Sequence, residues 1–351
     1  MTYNRVATPR MYMDRLSFDL ATGRRTVSSN YAIIQDDQST AVAFDGGQFE
    51  DLFDMRPSNY VTIAHDTKQF YINIDTGMTT DTTAETNFLA ILGHNFHSSN
   101  AVFNVWYDDD SDIDSGSQTN VAAGISAPTD VINGEADADT AFVDPASNGW
   151  TLITWANNNT NNRYYRIIIT SDDGAGSNFA SDVKIGSIML GEYIDFPHSP
   201  DLSLGFDIDY DGTDIVTSSG GSTFANTSYL GSPVWGAGNP WVLESEDTHT
   251  YKSARHYGRR KYNMNFSYIS DTDMFLSNMH ANHTAMIDGS DLYSQFFAKS
   301  LGSHLPFLFT IDKDSTGEGD YGLFRLADGG LKSTQSAHRF WNTKLNLVEH
   351  W

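Results

Sequence analysis

The chain has no cysteine, which excludes a disulfide framework and any cysteine-based metal site. No window approaches the roughly 18 apolar residues that a membrane-spanning helix needs. The N-terminal stretch MTYNRVATPRMYMDRLSF has no apolar run of the kind a secretory signal carries. These absences set the expectation of a soluble protein, made in a cytoplasm, with no membrane insertion, whose fold rests on packing. Basic residues are also scarce. There are 21 Lys and Arg against 45 Asp and Glu, a formal net charge of −24. None occurs from Gln69 to Asn162 or from Ile185 to Tyr251, while five lie within Arg5–Arg25 and five within Lys252–Lys261. A phosphate-binding face needs clustered cations, so no nucleic-acid partner is expected.

What the chain does have is aromatic residues, at 13%, and many Gly, Asn, Ser, Thr and Asp. That profile fits a loop-rich all-β protein. The stretch Trp150–Gly191 organises the rest. Thr151–Trp155 and Arg163–Thr170 are rich in β-branched and aromatic residues, and the almost pure asparagine run Asn157–Asn162 separates them. Asparagine tolerates the backbone of tight turns, so this reads as strand, turn, strand. Val183–Leu190 adds a third strand. Both faces of these strands are partly apolar, which calls for a second sheet packed above them.

The expected fold is therefore two jelly-roll-like β-sandwich domains, with a few short helices in the C-terminal one. Residues 1–55 read as N-terminal strands or an arm on a neighbouring subunit. Residues 56–199 read as the first sandwich, with strands at Tyr60–Ala64, Phe70–Ile74, Asn87–Asn95 and Ala101–Tyr107. Residues 200–351 read as the second. There Leu202–Tyr210 alternates, and Arg259–Ile269 sets Tyr262, Met264, Phe266 and Tyr268 on one face. Asp271–Met279 and Asp291–Lys299 are helix candidates, capped by Ser270 and Ser290. Pro306–Ile311, Phe324–Leu326 and Trp341–Trp351 complete the strands, the last one paired into a sheet or docked on a neighbour.

Few motifs carry chemistry. Asp207, Asp209 and Asp211 match only the first half of a calcium loop, because Ser218 stands where the closing Glu should be. Asp312–Gly317 fails in the same way. Calcium is the one cofactor weighed, and Asp108, Asp110, Asp112 and Asp114 are the stronger cation candidate, against a solvated loop. His94 with His97, and His280 with His283, lack the context that makes such pairs metal sites. There is no nucleophile elbow, phosphate loop or dinucleotide fingerprint, so no catalytic residue is expected. Trp106, Tyr107, Trp150 and Trp155 are candidate sugar-stacking residues near loops of the first sandwich, against a plain reading as core aromatics.

NFLAILGHNF, NGWTLITW, RYYRI (Arg163–Ile167) and VKIGSIMLGEY together resemble the galactose-binding-like jelly roll found in virion proteins of tailed bacteriophages. GRRKYNMNFSYISDTD (Gly258–Asp273), a short helical part, a PFLF strand and the ending VEHW are similar to distal-tail or baseplate proteins. The resemblance implies a structural part of a virion tail, tail tip or baseplate, with other copies of itself and other virion tail proteins as partners and no catalytic residue. In this reading Lys252, Arg255, Arg259, Arg260 and Lys261 form a subunit contact. The alternative is a receptor- or carbohydrate-binding tail protein that uses the first sandwich to hold a host-surface glycan.

Overall fold

Apolar side chains recur at period two along much of the chain, and the computed structural model resolves them into antiparallel strands. It describes residues 6–35, 40–77, 86–108, 111, 113, 119–120, 130–137, 142–155, 163–209, 215–225, 258–275, 289 and 291–350. The first strands are β1 (Arg10–Asp14), β2 (Tyr31–Gln35), β3 (Phe44–Gly46), β4 (Val61–Ile63), β5 (Gln69–Asp75), β6 (Phe88–His94) and β7 (Ala101–Asp108). Short strands follow at β8 (Thr119–Asn120), β9 (Asp130–Ile132), β10 (Glu135–Ala136) and β11 (Val143–Asp144). Then come β12 (Gly149–Thr154), β13 (Tyr164–Ser171), β14 (Val183–Ile185), β15 (Ser187–Asp195), β16 (Gly205–Asp209), β17 (Ile215–Thr217) and β18 (Thr223–Ala225). The last are β19 (Arg259–Ser270), β20 (Phe307–Thr310), β21 (Tyr321–Leu326), β22 (Lys332–Ala337) and β23 (Phe340–Glu349).

The fold is all-β, with two sandwich-type cores joined through one long sheet. That sheet runs β16-β19-β23-β21-β20-β1-β15-β6-β12-β9, with β22 beside β23. A second sheet, β10-β11-β7-β13-β5-β2 with β8 beside β7, packs over the β15-β6-β12 part. Between them lies the first core, where Ile72, Phe103 and Ile167 meet Leu89, Ile91 and Leu190. The second core gathers Met11, Met13, Met264, Phe266, Phe296, Phe309 and Leu347 around the other half of the long sheet. The opposite face of the long sheet carries a third cluster, including Tyr12, Phe88, Trp150, Leu308 and Tyr321.

β1 is the seam between the halves. It pairs with β15 on one side and β20 on the other, and all five of its residues are buried. At Gly191 of β15 an added Cβ would lie 2.1 Å from the Met13 carbonyl oxygen, so only glycine admits this approach. Tyr12 packs edge-on to Phe88 at 5.2 Å and lies 6.2 Å from Tyr321, so one ring touches both halves. Arg10 forks onto Asp195 at 2.6 and 3.0 Å and also reaches Asp130, with its guanidinium 4.1 Å from the Tyr193 ring centre. At the other end, Asp14 accepts from the N–H groups of Leu16 and Ser17, capping the helix Arg15–Ala21, and from Leu190 N–H of β15. Trp150 of β12 and Tyr321 of β21 stand five strands apart, about 24 Å in a flat sheet. Their ring centres are 5.5 Å apart, so the long sheet curls around the third cluster.

Several expectations are corrected. The stretch at residues 151–170 is not a hairpin: β12 belongs to the long sheet and β13 to the second one, so the chain crosses between layers there. The third strand divides into β14, in a small sheet with β4 and β3, and β15 in the long sheet. Within residues 1–55 lie the strands β1, β2 and β3, and β1 stands at the middle of the long sheet and not at its edge. β1 ends at Asp14, where the helix Arg15–Ala21 begins. In β19 a register shift between Phe266 and Ile269 turns Tyr268 outward, 65% exposed with φ +64°, and Ile269 takes its place inside. β16 is an outer strand whose Ile208 is exposed, and Leu202 is almost fully so. Ser270 does cap a helix, Asp271–Met274, accepting from Asp273 N–H. In the next, π-helical turn (Tyr293–Ala298), Asp291 accepts from Ser294 N–H; Ser290 lies outside the described residues.

Tyr12→Ala should lower the free energy of unfolding by about 3–5 kcal/mol, read from urea denaturation. A loss below about 1 kcal/mol would mean that the seam does not rest on this ring. Arg260 donates to Glu349 Oε1 from Nε and Nη2 at 3.1 and 2.7 Å, and to the carbonyls of Gly319 and Tyr321. Glu349 is 1% exposed, so Arg260→Ala strands a buried carboxylate and should cost about 3–5 kcal/mol in the same measurement. Retained stability would show that water reaches Glu349.

His94 is fully buried. Phe96 N–H donates to its Nδ1, so Nε2 carries the proton and donates to Thr151 Oγ1 at 3.0 Å. Burial lowers its pKa from 6.5 to about 3. The unfolded chain therefore binds the extra proton. The stabilisation is whole above pH 6.5 and fades as pH falls toward 3. Asp14 acts in the opposite sense. Burial raises its carboxyl to about 6 against its backbone donors, so its contribution is full below 3.8 and lost as pH rises through 6. Comparing His94→Gln with the wild type isolates the histidine: the stability gap should narrow by about 3 kcal/mol between pH 7 and 4.5. A gap that does not change with pH would assign the acid sensitivity elsewhere.

Candidate functional site

At one end of the second sheet, β2, β5 and β13 leave a cleft of about 360 Å³. Three strands distant in sequence build it. Tyr31 stands opposite Ile74 in one ladder, and Ile74 stands opposite Tyr165 in the next. The helical turn Val27–Asn30 supplies Ser28, Ser29 and Asn30, β5 supplies Asn73 and Asp75, and β13 supplies Tyr164; Ser111 and Ile113 close the wall. Half of the lining is polar, with three serines, two asparagines and Asp75; Tyr31, Tyr164, Tyr165, Ala32, Ile74 and Ile113 supply the rest.

The charges around the cleft are fixed by one another. Arg163 forks onto Asp75 with 2.6 and 2.7 Å hydrogen bonds, and Gly77 N–H donates to the same carboxylate. Burial pushes the Asp75 carboxyl up, but the hydrogen bonds from Arg163 and Gly77 and the arginine's charge outweigh it and hold the pKa below its ordinary value. Asp75 is thus a fixed anion and an acceptor. The Arg163 guanidinium also lies 4.9 Å from the Tyr164 ring centre. Gly77 has φ +64°, and an added Cβ there would meet the Arg25 guanidinium, which packs over it. Thr76 donates twice to the Arg163 carbonyl, tying the loop after β5 to the start of β13.

The face of the second sheet turned away from the first core continues from this cleft, and Tyr71, Asn104 and Arg166 on it are buried. Arg166 donates to Asn73 Oδ1 at 2.8 Å and lies 4.8 Å from the Tyr71 ring centre. Trp106 sits opposite Arg166 in the ladder and is half-buried. One row thus holds an indole, a guanidinium and an amide, with the Tyr71 phenol beside it.

The expected site residues divide. Trp106 lies on the outer face beside the cleft. Tyr107 points into the first core, 6.1 Å from Tyr165. Trp150 has no exposed surface, and Trp155 is buried with its Nε1 donating to the Thr86 carbonyl, so neither offers a face to a sugar. Asp108 is buried at the end of β7, opposite Tyr164; Asp110, Asp112 and Asp114 lie outside the described residues. Among the described residues no group of three or more His, Asp or Glu could hold a metal ion. His97 bonds the Pro145 carbonyl, and His280 and His283 are outside the described residues. Of the basic cluster, Lys252 and Arg255 also lie outside them. Arg260 is spent on Glu349 within the chain, Lys261 pairs with Asp209, and Arg259 is half-buried. Sequence reading missed Ser28–Asn30 and Asn73, because no local pattern tells which remote strands will be neighbours.

No family model matches the chain, and no curated protein matches it. Among solved structures it is similar to chitosan-binding module 1 from a chitosanase/glucanase of Paenibacillus sp. IK-5, at 11% identity and a TM-score of 0.31, over 46% of this chain and 93% of that one. It is also similar to chitosan-binding module 2 of the same enzyme, solved with chitotriose, at 12% identity and a TM-score of 0.31, over 46% and 95%. A third is CBM32-1 from a family 31 glycoside hydrolase of Clostridium perfringens, at 11% identity and a TM-score of 0.27, over 47% and 95%. Scores of this size assign neither a ligand nor a residue's role.

Proposed function

We infer that the chain is a non-catalytic binding protein whose first sandwich holds a carbohydrate-class ligand in the cleft between β2, β5 and β13. The observation that carries this reading is the lining. Ser28 and Ser29 offer hydroxyls, Asn30 and Asn73 amide donors whose oxygens are held by Thr26 N–H and Arg166, Asp75 is a fixed acceptor, and Tyr164 offers part of a ring face. A polyhydroxylated ring needs that combination, with hydroxyls answered by amides and carboxylate and its C–H face laid on an aromatic. The volume lies at the low end of the roughly 300–1,000 Å³ typical of ligand sites. Asp75 is held ionised by Arg163, which suits an acceptor and not a general acid.

A second reading, assembly with copies of itself, draws on the other half of the molecule; the resemblance read in the sequence gives it the setting of a bacteriophage virion tail, tail tip or baseplate. Its support is exposed apolar surface on outer strands. Ile208, Ile215, Val216 and Phe224 are all exposed between residues 205 and 225. The two readings are compatible, since the cleft and these strands belong to different sheets.

A glycan array probed with the full chain, followed by calorimetry on the best binder, tests the first reading. Tyr164→Ala and Asn73→Ala should each weaken binding about tenfold, which is about 1.4 kcal/mol. A silent array, or a hit indifferent to both changes, would remove the cleft from consideration.

A further inference from the structure

The four strands β16, β19, β23 and β22 form an antiparallel ribbon with two outer edges. Among the described residues β16 pairs only with β19, and β22 only with β23. Their charges are opposed. Residues 200–225 carry five Asp and no Lys or Arg, whereas residues 325–344 carry four Lys or Arg and a single Asp. Asp207 on β16 is exposed. Lys332 on β22, and Arg339 in the turn after it, are exposed and in no ion pair among the described residues. Lys344, also exposed and in no ion pair among the described residues, stands opposite Lys332 in the ladder, so this edge gathers positive charge. Each edge also bears apolar surface: Ile208 on β16, and Phe340, 42% exposed, opposite the end of β22. The uncharged hairpin β17–β18 forms a separate two-stranded sheet, and two strands alone are marginal in water.

We propose that β22 of one copy adds to the β16 edge of the next, head to tail, so that copies assemble through one continued antiparallel sheet. This rests on the assembly reading above and names its contact. The direction fits, since β16 and β22 run antiparallel to each other across the ribbon. Self-pairing of β16 about Asp207 would instead set like charges face to face, which is unfavourable. A head-to-tail contact uses two different surfaces and yields a ring or a filament.

The test is sedimentation of the full chain at low and high salt, with circular dichroism to confirm that each variant is folded. The wild type should associate, at least tenfold more weakly in high salt. Lys332→Glu with Arg339→Glu should be monomeric, as should Asp207→Lys with Ile208→Lys. Mixing the two variants, or placing all four changes in one chain, should restore association by exchanging the charges. A wild type that stays monomeric at high concentration overturns both this contact and the assembly reading. Association that survives in either double variant overturns the contact alone.

Discussion

A strand with water on neither face nor edge has to find backbone partners on both sides, and β1 is such a strand. Its N–H and C=O groups cannot go unpaired without a cost comparable to a lost hydrogen bond for each. β15 and β20 are where those bonds go. This single demand makes one sheet of what would otherwise be two. It draws a segment near the start of the chain into the middle, and it sets Tyr12 where rings from both halves converge. The two cores share one face of the sheet, and the third cluster sits on the other, so neither half closes its packing without the strand between them.

Burying β1 also buries charge. Arg10 is 7% exposed and Asp14 4%. Each is answered at once, Arg10 by Asp195, Asp130 and the Tyr193 ring, and Asp14 by three backbone N–H groups. Buried pairs of this kind add little net stability compared with apolar packing, but removing one partner is costly. They act as a register lock. A strand slipped by one residue would send Tyr12 to the wrong face and leave Arg10 without its carboxylates. The Arg260–Glu349 pair does the same for β19 and β23, which is why a cation that looked available for another subunit is not.

What the sequence revealed was local. β5, β6, β7, β13 and β20 are recognisable from alternation or from short apolar runs, because those patterns are set by the strand's own faces. What it concealed was partnership. The asparagine run before β13 looks the same whether the chain turns back in one sheet or crosses to another. Trp150 and Trp155 near a loop look the same whether they face a sugar or a core. The alternation of β19 predicted Tyr268 inward, and one extra residue at a bulge reversed it. The candidate cleft was not legible: Arg163 and Tyr164 stood out only as part of a strand motif, and Asn30 and Asn73 acquire meaning from a strand order that no nearby residue encodes.

The seam also decides where recognition is available. With β1 and its neighbours fully covered, the long sheet is closed through its middle, and exposed backbone and ring edges are displaced outward. On one side they gather at the end of the second sheet, where Thr76 ties the end of β5 to the start of β13 beside the cleft. On the other they are the outer strands β16 and β22, which carry opposite charge. A rigid centre thus separates a surface suited to a small polar ligand from one suited to another protein chain. Neither surface shares a residue with the other, so a change at one should leave the other's energetics nearly additive, as expected for sites well apart.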